Sequence, residues 1–96
     1  MSAYFVVQAN VKDPDKLAAY SQQAGPIINK YQGELLLKAP VLEVIGGEAE
    51  FERVIILKFP DADVAREWYN CAEYQALIPQ REEGAQMLFT LVEAPD

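Results

Sequence analysis

The sequence contains no histidine, and this absence narrows the chemistry that is open to the chain. Histidine is the commonest general base near neutral pH and a frequent ligand of haem iron and zinc. The single cysteine, Cys71, cannot form an internal disulfide, and a lone thiol agrees with a reducing compartment. Carboxylates alone would have to hold a metal, and no acidic spacing here resembles a calcium loop. We therefore expect neither a metal nor a cofactor.

Basic residues are also scarce, because eight lysines and arginines stand against fifteen aspartates and glutamates and leave a net charge of −7. A charge of this sign repels the phosphate backbone, so we expect no nucleic-acid binding. No apolar run approaches the roughly 18 residues that a membrane span requires, so we expect a soluble protein without membrane association. The first seven residues lack the features of a secretory signal, which favours a cytoplasmic location. With 96 residues the chain fits one domain, residues 1–96.

The first third of the chain shows a strand followed by a helix. Residues Tyr4–Val11 alternate in polarity and are rich in aromatic and β-branched side chains, as a half-buried strand requires. Asp13 then supplies an N-cap, and the proline after it suits the first helical position. Pro26, which follows a glycine, should kink this helix or split it in two, and Gly33 should end it.

A pair of strands follows the helix. Glu34–Ala39 is predicted as the second strand, which Pro40 should bend before Val41–Ile45 continues it along the edge of the sheet. The glycines at 46–47 make a turn. Arg53–Phe59, with the sequence RVIILKF, is the strongest strand signal in the chain.

The last third shows further helix and a closing strand. Asp61 caps a second helix that breaks near Asn70 and Cys71, and a further short helix should span roughly Ala72–Glu83. Gln86–Val92 is the last strand. The resulting order, β-α-β-β-α-β, predicts an α+β protein with a ferredoxin-like split sandwich, in which an antiparallel sheet carries helices on one face.

The predicted sheet is apolar on both faces. Consecutive apolar residues occur in three of its strands, at Phe5–Val7, Val54–Leu57 and Met87–Phe89. A face that meets water should alternate to polar residues, so both faces should be covered. Helices cover one of them, and a second copy of the chain is the simplest cover for the other. We therefore expect a homodimer through the open sheet face, with a large apolar ligand as the rival cover.

Two segments carry a family resemblance. Arg53–Pro60 (RVIILKFP) and Trp68–Gln75 (WYNCAEYQ) together resemble the domain-of-unknown-function family 1330. The similarity extends over nearly the whole chain through further matching positions: an Ala-Tyr pair in the first strand, Tyr20, Gly33, Arg81 and Leu91-Val92-Glu93. One departure is Cys71, where the family often has serine.

What the resemblance implies is a fold and an assembly. It implies the dimeric α/β barrel superfamily, whose members form sheet-to-sheet dimers, and it implies no known reaction. Related families include small monooxygenases, haem-degrading enzymes, isomerases and stress-response proteins, so fold-level similarity does not choose among activities.

Arg53 and Gln8 are the polar ligand-binding candidates. The guanidinium of Arg53 could hold a carboxylate or an enolate, or it could form an ion pair with Glu34 or Glu43. Gln8 and Asn10 lie on the strand face opposite Phe5 and Val7, pointing into the barrel interior. They could orient a small polar ligand, or bond to each other or to water across the dimer interface.

Aromatic side chains complete the candidate site. Tyr20, Trp68, Tyr69 and Tyr74 occur at helical spacing, which is typical of a packed core. They remain ligand candidates because Trp68 to Tyr74 spans a predicted helix break, where side chains can line a cleft. Cys71 in the same segment could be a reactive thiol or a small buried residue. Without histidine, a papain-like mechanism is excluded.

These observations favour a protein that binds a small, partly apolar, anionic molecule near Arg53. An enzyme of this kind would be a metal-free isomerase or a cofactor-independent oxygenase, in which Arg53 and a tyrosine stabilise charge. The alternative is a structural or regulatory homodimer without catalysis. A cavity between the sheet and the helices would favour the ligand-binding protein over the structural or regulatory homodimer.

Overall fold

A computed structural model describes residues 1–95, in which four strands and four helices follow one another. The strands are β1 (Ser2–Val11), β2 (Glu34–Pro40), β3 (Arg53–Phe59) and β4 (Ala85–Ala94). The helices are α1 (Pro14–Lys30), α2 (Ala62–Asn70), α3 (Ala72–Gln75) and α4 (Ile78–Gly84). No helix within residues 1–95 is long and apolar enough to cross a membrane.

The four strands form one antiparallel sheet in the order β2-β3-β1-β4. Along β1 every second residue is buried, because Phe5 and Val7 point toward the helices while Val6 points away. The side that carries Phe5 and Val7 is the helix-covered face. The opposite side is the open face. Its residues on β1, β3 and β4 include Tyr4, Val6, Gln8, Asn10, Val54, Ile56, Lys58, Leu88, Thr90 and Val92.

The predicted helix starts are confirmed. The Asp13 carboxylate accepts hydrogen bonds from the backbone N–H groups of Asp15 at 3.1 Å and Lys16 at 3.2 Å. Asp61 accepts one from the N–H of Val64 at 2.9 Å. Each bond satisfies a donor that the first turn of a helix leaves unpaired, which is why aspartate marks these starts.

The helices differ from the prediction at two places. Of the kink or split predicted at Pro26, the split does not occur, because α1 is one continuous helix and Pro26 lies inside it with its side chain exposed. A proline normally clashes with the Cβ atom of the preceding residue, and Gly25 has none. The segment predicted as one helix from Ala72 to Glu83 is two, α3 and α4, and Pro79 occupies the first turn of α4, where its missing N–H does no harm.

The predicted edge extension Val41–Ile45 was also wrong. Residues 41–52 contain no strand, and one backbone hydrogen bond, from the N–H of Val41 to the oxygen of Glu52 at 2.7 Å, closes the base of the connection. Leu42 is 99% exposed and Ile45 is 91% exposed. Pro40 has no N–H to donate to a neighbouring strand, so strand pairing ends with it.

Close packing fixes α4 against α1. The N–H groups of Lys12 and Asp13 donate to the carbonyl oxygen of Gly84 at 2.9 and 3.1 Å. A Cβ atom on Gly84 would lie 2.8 Å from the backbone nitrogen of Leu17, so a residue without a side chain is needed there. This approach holds Arg81, which lies on α4, beside the aromatic core.

Candidate functional site

A cavity of about 320 Å³ lies between the helix-covered face of the sheet and α1. Its walls are mainly apolar and include Val7 and Leu57 from the sheet and Ala24 and Ile28 from α1. Cavities that hold small molecules commonly measure about 300–1,000 Å³ and are largely apolar. The space between the sheet and α1 is therefore large enough for a small ligand.

Small residues on both walls create this space. Ala9 on β1 and Ala24 on α1 contribute only a methyl group each to the lining. Gly25 contributes no side chain, and a Cβ atom on it would meet nothing of residues 1–95 within 4 Å apart from its chain neighbours and the nearby backbone of its own helix. Larger side chains at positions 9, 24 and 25 would extend into this space and fill the cavity.

Two basic side chains, Arg53 and Lys38, line the cavity. They come from adjacent strands, because Lys38 on β2 is paired with Ile55, two residues beyond Arg53 on β3. No aspartate or glutamate of residues 1–95 lines the cavity with them. The site therefore presents positive charge beside apolar walls, which suits an anion with an apolar body.

The alternative ion pair of Arg53 with Glu34 or Glu43 does not form. None of the ion pairs between residues 1–95 includes Arg53. Glu34 is paired in register with Lys58, at the opposite end of β3. Glu43 lies in the exposed connection after β2.

Trp68 forms the aromatic wall of the cavity. Its side chain is fully buried, and its ring centroid lies 4.3 Å from that of Tyr74, 5.3 Å from that of Phe59 and 5.5 Å from that of Phe5. Its indole nitrogen has no hydrogen-bond partner within residues 1–95. The core on this side of the sheet is thus built of aromatic rings in tilted contact.

A buried hydrogen-bond network adjoins the cavity at Tyr20, which also lines it. The hydroxyl oxygens of Tyr20 and Tyr74 are 2.6 Å apart. The Nη1 atom of Arg81 donates to the Tyr74 hydroxyl at 3.0 Å and to the Tyr69 hydroxyl at 3.1 Å, and Nη2 donates to Glu82 at 3.0 Å. Arg81 is only 5% exposed, so the network holds a charge within the core.

Burial determines the protonation of this network. It raises the pKa of Tyr20 well above the ordinary 10.0, with a further contribution from the neighbouring Tyr74. Burial likewise raises the pKa of Tyr74. For Arg81 burial acts to lower the pKa, but hydrogen bonds to Tyr69, Tyr74 and Glu82 outweigh it and the pKa is raised. Near neutral pH Tyr20 and Tyr74 are therefore neutral phenols beside the charged guanidinium of Arg81.

These shifts predict an alkaline loss of stability. Above pH 10 the unfolded chain ionises its tyrosines while Tyr20 stays protonated in the fold. Its contribution to stability is therefore full below pH 10 and is lost as the pH rises toward the raised value in the folded state. The free energy of unfolding should fall by about 1.4 kcal/mol per pH unit for each such group.

Urea unfolding of wild type and Tyr20→Phe, from about pH 8 to about pH 11, tests this dependence. The variant lacks one of the ionising groups, so its free energy of unfolding should fall less steeply with pH than that of the wild type. Parallel slopes for the two proteins would contradict the buried, protonated state of Tyr20.

The structure brings three of the five predicted site residues together. Tyr20, Arg53 and Trp68 all line the cavity. Tyr69 does not line it, and its half-buried ring instead contacts Phe89 with a centroid distance of 5.3 Å. Gln8 does not line it either, because it lies on the open face.

Asn10 shares the open face with Gln8 and has a local role. Its side-chain amide donates to the carbonyl oxygen of Glu50 at 2.8 Å, and its oxygen accepts from the N–H of Glu52 at 2.9 Å. Asn10 therefore fastens the end of the β2–β3 connection, and its amide is not bonded to Gln8. Cys71 caps α3 instead of lying in the cavity, since its sulfur accepts from the N–H of Tyr74 at 3.4 Å.

Lys38 of the cavity wall and Arg81 of the adjoining network were not predicted as site residues. Lys38 was missed because strict alternation along its apolar strand assigns it to the open face. Arg81 was named only as part of the family resemblance, although the sequence contains a signal for its burial. Tyr74, Leu77 and Arg81 follow one another at helical spacing, and all three are buried.

The four-stranded antiparallel sheet with helices on one face is a ferredoxin-like α+β fold, and solved structures agree. A protein of unknown function from Rhodopseudomonas palustris has a TM-score of 0.78 at 16% identity, over 99% of this chain and 83% of that one. A dimeric ferredoxin-like protein of unknown function from Jannaschia sp. CCS1 has a TM-score of 0.77 at 10% identity, over 98% of this chain and 100% of that one. SnoaB, a cofactor-independent oxygenase from Streptomyces nogalater, has a TM-score of 0.71 at 14% identity, over 99% and 94% of the two chains.

The family follows from the sequence match. The family model described as Domain of unknown function (DUF1330) matches residues 2–95, so the chain belongs to that family. The resemblance carried by the β3 and α2 segments is thus confirmed. No curated protein matches the chain.

Proposed function

We propose that the chain is a homodimeric small-molecule-binding protein whose cavity takes a partly apolar anion. The observation that carries this proposal is the position of Arg53 and Lys38, two basic side chains that line an apolar cavity together. A carboxylate or enolate would complete their hydrogen bonds, and the apolar walls would bury the remainder of the ligand. A cavity of about 320 Å³ favours this function over a purely structural dimer with a packed interior.

Calorimetric titration with naphthoate tests the site, because this compound joins a flat apolar body to one carboxylate. Arg53→Ala should weaken binding about tenfold to a hundredfold, since a hydrogen bond to a charged group contributes about 1.5–3 kcal/mol. Lys38→Ala should weaken it less, because lysine makes no bidentate contact.

Two controls separate charge recognition from general effects. Naphthamide has the same body without the charge, so its affinity should change little in Arg53→Ala. Arg66→Ala removes an exposed arginine on α2 that is paired with Asp63, and it should bind naphthoate like the wild type. No binding of naphthoate at millimolar concentration, or equal binding by wild type and Arg53→Ala, would contradict the proposal.

The dimer in this proposal forms through the open face. Leu88 and Val92 on β4 and Leu37 on β2 are 46%, 42% and 44% exposed on that face. Several exposed apolar side chains on one face are typical of an interaction surface. Two solved structures with a similar fold are described as dimeric. Gln8 lies among these groups, where it would hydrogen-bond across the two-fold axis or to trapped water.

A catalytic function is the second candidate, as a metal-free isomerase or a cofactor-independent oxygenase. Arg53 and Lys38 beside a hydrophobic wall would stabilise the negative charge of an enolate. The description of SnoaB as a cofactor-independent oxygenase is consistent with such a role for the fold. The test is to measure whether the protein consumes oxygen when hydroxynaphthoates are supplied as substrates in the presence of a chelator. Oxygen consumption by the wild type that is abolished in Arg53→Ala would support this candidate over simple binding.

We place the protein in the cytoplasm, where Cys71 would remain a free thiol.

A further inference from the structure

The network behind the cavity connects a buried cation to one side chain of the cavity wall. Arg81 donates to Tyr74 at 3.0 Å, and the hydroxyl oxygens of Tyr74 and Tyr20 are 2.6 Å apart. Tyr20 lines the cavity, whereas Tyr74 and Arg81 do not. The network therefore ends at a residue of the cavity wall, Tyr20.

The direction of the bond between the two phenols follows from counting hydrogens. A phenol has one hydrogen to donate, and a guanidinium can only donate. If Tyr20 donated to Tyr74, the Tyr74 oxygen would accept from both Tyr20 and Arg81. The hydrogen of Tyr74, which is fully buried, would then have no acceptor among the bonds of residues 1–95.

The opposite direction places the unused hydrogen on Tyr20, the one phenol of the pair that belongs to the cavity wall. Tyr74 donates to Tyr20, and the Arg81 charge polarises the Tyr74 hydroxyl and strengthens that donation. The hydrogen of Tyr20 is then unused within the network. Because Tyr20 lines the cavity, a ligand or water there can accept this hydrogen.

We propose that the Tyr20 hydroxyl binds a second oxygen of the ligand as a hydrogen-bond donor, and that Tyr74 and Arg81 are positioning residues that set its direction. This inference rests on the proposed function and narrows its substrate class. The ligand is a partly apolar acid whose anionic group binds Arg53 and whose ketone, hydroxyl or enol oxygen binds Tyr20. Its two polar ends are recognised by opposite walls of the cavity, the sheet and α1.

The experiment compares naphthoate with its hydroxynaphthoate isomers by calorimetric titration of wild type, Tyr20→Phe and Tyr74→Phe. At least one isomer should bind the wild type about tenfold tighter than naphthoate, as one added hydrogen bond allows. Tyr20→Phe should remove this advantage. Tyr74→Phe should reduce it severalfold although Tyr20 is intact, so in both variants the affinity for the hydroxynaphthoate should fall relative to that for naphthoate.

The ratio of hydroxynaphthoate affinity to naphthoate affinity distinguishes a positioning role of Tyr74 and Arg81 from a structural role. Loss of a structural role would lower both affinities together and leave the ratio unchanged. Arg81→Lys retains a donor and should keep part of the advantage, while Tyr31→Phe, which changes a tyrosine outside the cavity, should keep all of it. An unchanged ratio in Tyr20→Phe, or no isomer that exceeds naphthoate, would overturn the inference. If Arg53→Ala still weakens naphthoate in that case, the proposed function stands; if it does not, the proposed function itself fails.

Discussion

Replacing Trp68 with alanine should lower the free energy of unfolding by about 3–5 kcal/mol, as for other buried aromatic residues. The side chain is fully buried and its ring contacts those of Phe5, Phe59 and Tyr74. Its removal would join the space that it fills to the existing cavity, so the surrounding rings could not close the gap without moving. Small proteins have a total stability of about 5–15 kcal/mol, so this single change should bring the chain near its unfolding threshold.

Urea unfolding followed by circular dichroism measures this loss, because the variant lacks the tryptophan that a fluorescence assay would need. Protein concentration must be equal in all samples, since a dimer gains stability with concentration. Trp68→Phe keeps most of the ring contacts and should lose less. Glu67→Ala, an exposed neighbour on the same helix, should change stability by no more than about 0.5 kcal/mol. A loss below about 1 kcal/mol for Trp68→Ala would show that the aromatic cluster repacks without it.

Replacing Leu88 with glutamate should separate the proposed dimer into monomers. Leu88 is on the open face and is 46% exposed, so the charge is tolerated by a monomer. A two-fold axis would place two new carboxylates in one interface, and each unpaired buried charge costs several kcal/mol. The dissociation constant should therefore rise at least about a hundredfold.

Sedimentation velocity at micromolar concentration tests this effect on assembly. Ala18→Glu introduces the same charge on the exposed side of α1 and should leave the dimer intact. A wild-type protein that sediments as a monomer would remove the basis of the assembly proposal. A dimer that survives Leu88→Glu would place the interface on another surface, such as the exposed connection 41–52.

The local signals of the sequence were sufficient for the order of the elements. Asp13 and Asp61 marked both main helix starts, because an aspartate side chain can accept from the unpaired N–H groups of a first turn. The apolar run Arg53–Phe59 marked a strand, and the structure shows that this strand is paired on both sides. The extension Val41–Ile45 failed because β-branched composition says nothing about whether a partner strand is within reach.

The face on which Lys38 lies could not be read from alternation. Strict alternation from Leu35, which is on the helix-covered face, assigns Lys38 to the open face. A shift in register between Leu35 and Leu37 adds one residue to β2 and moves Lys38 to the helix-covered face. Because a one-residue shift exchanges the two faces of a strand, this single irregularity brought a second cation into the cavity.

The sequence by itself determined the element order, the helix caps, the apolar character of both sheet faces and the exclusion of histidine chemistry. Each of these depends on residue type or on neighbours within one turn or one strand. Only the tertiary structure decided that a cavity exists and that Tyr20, Arg53 and Trp68 share it. It also decided the bond between Tyr20 and Tyr74, which are 54 residues apart. Cavities and long-range hydrogen bonds depend on how closely separate elements pack, and that spacing is set by all the side chains between them.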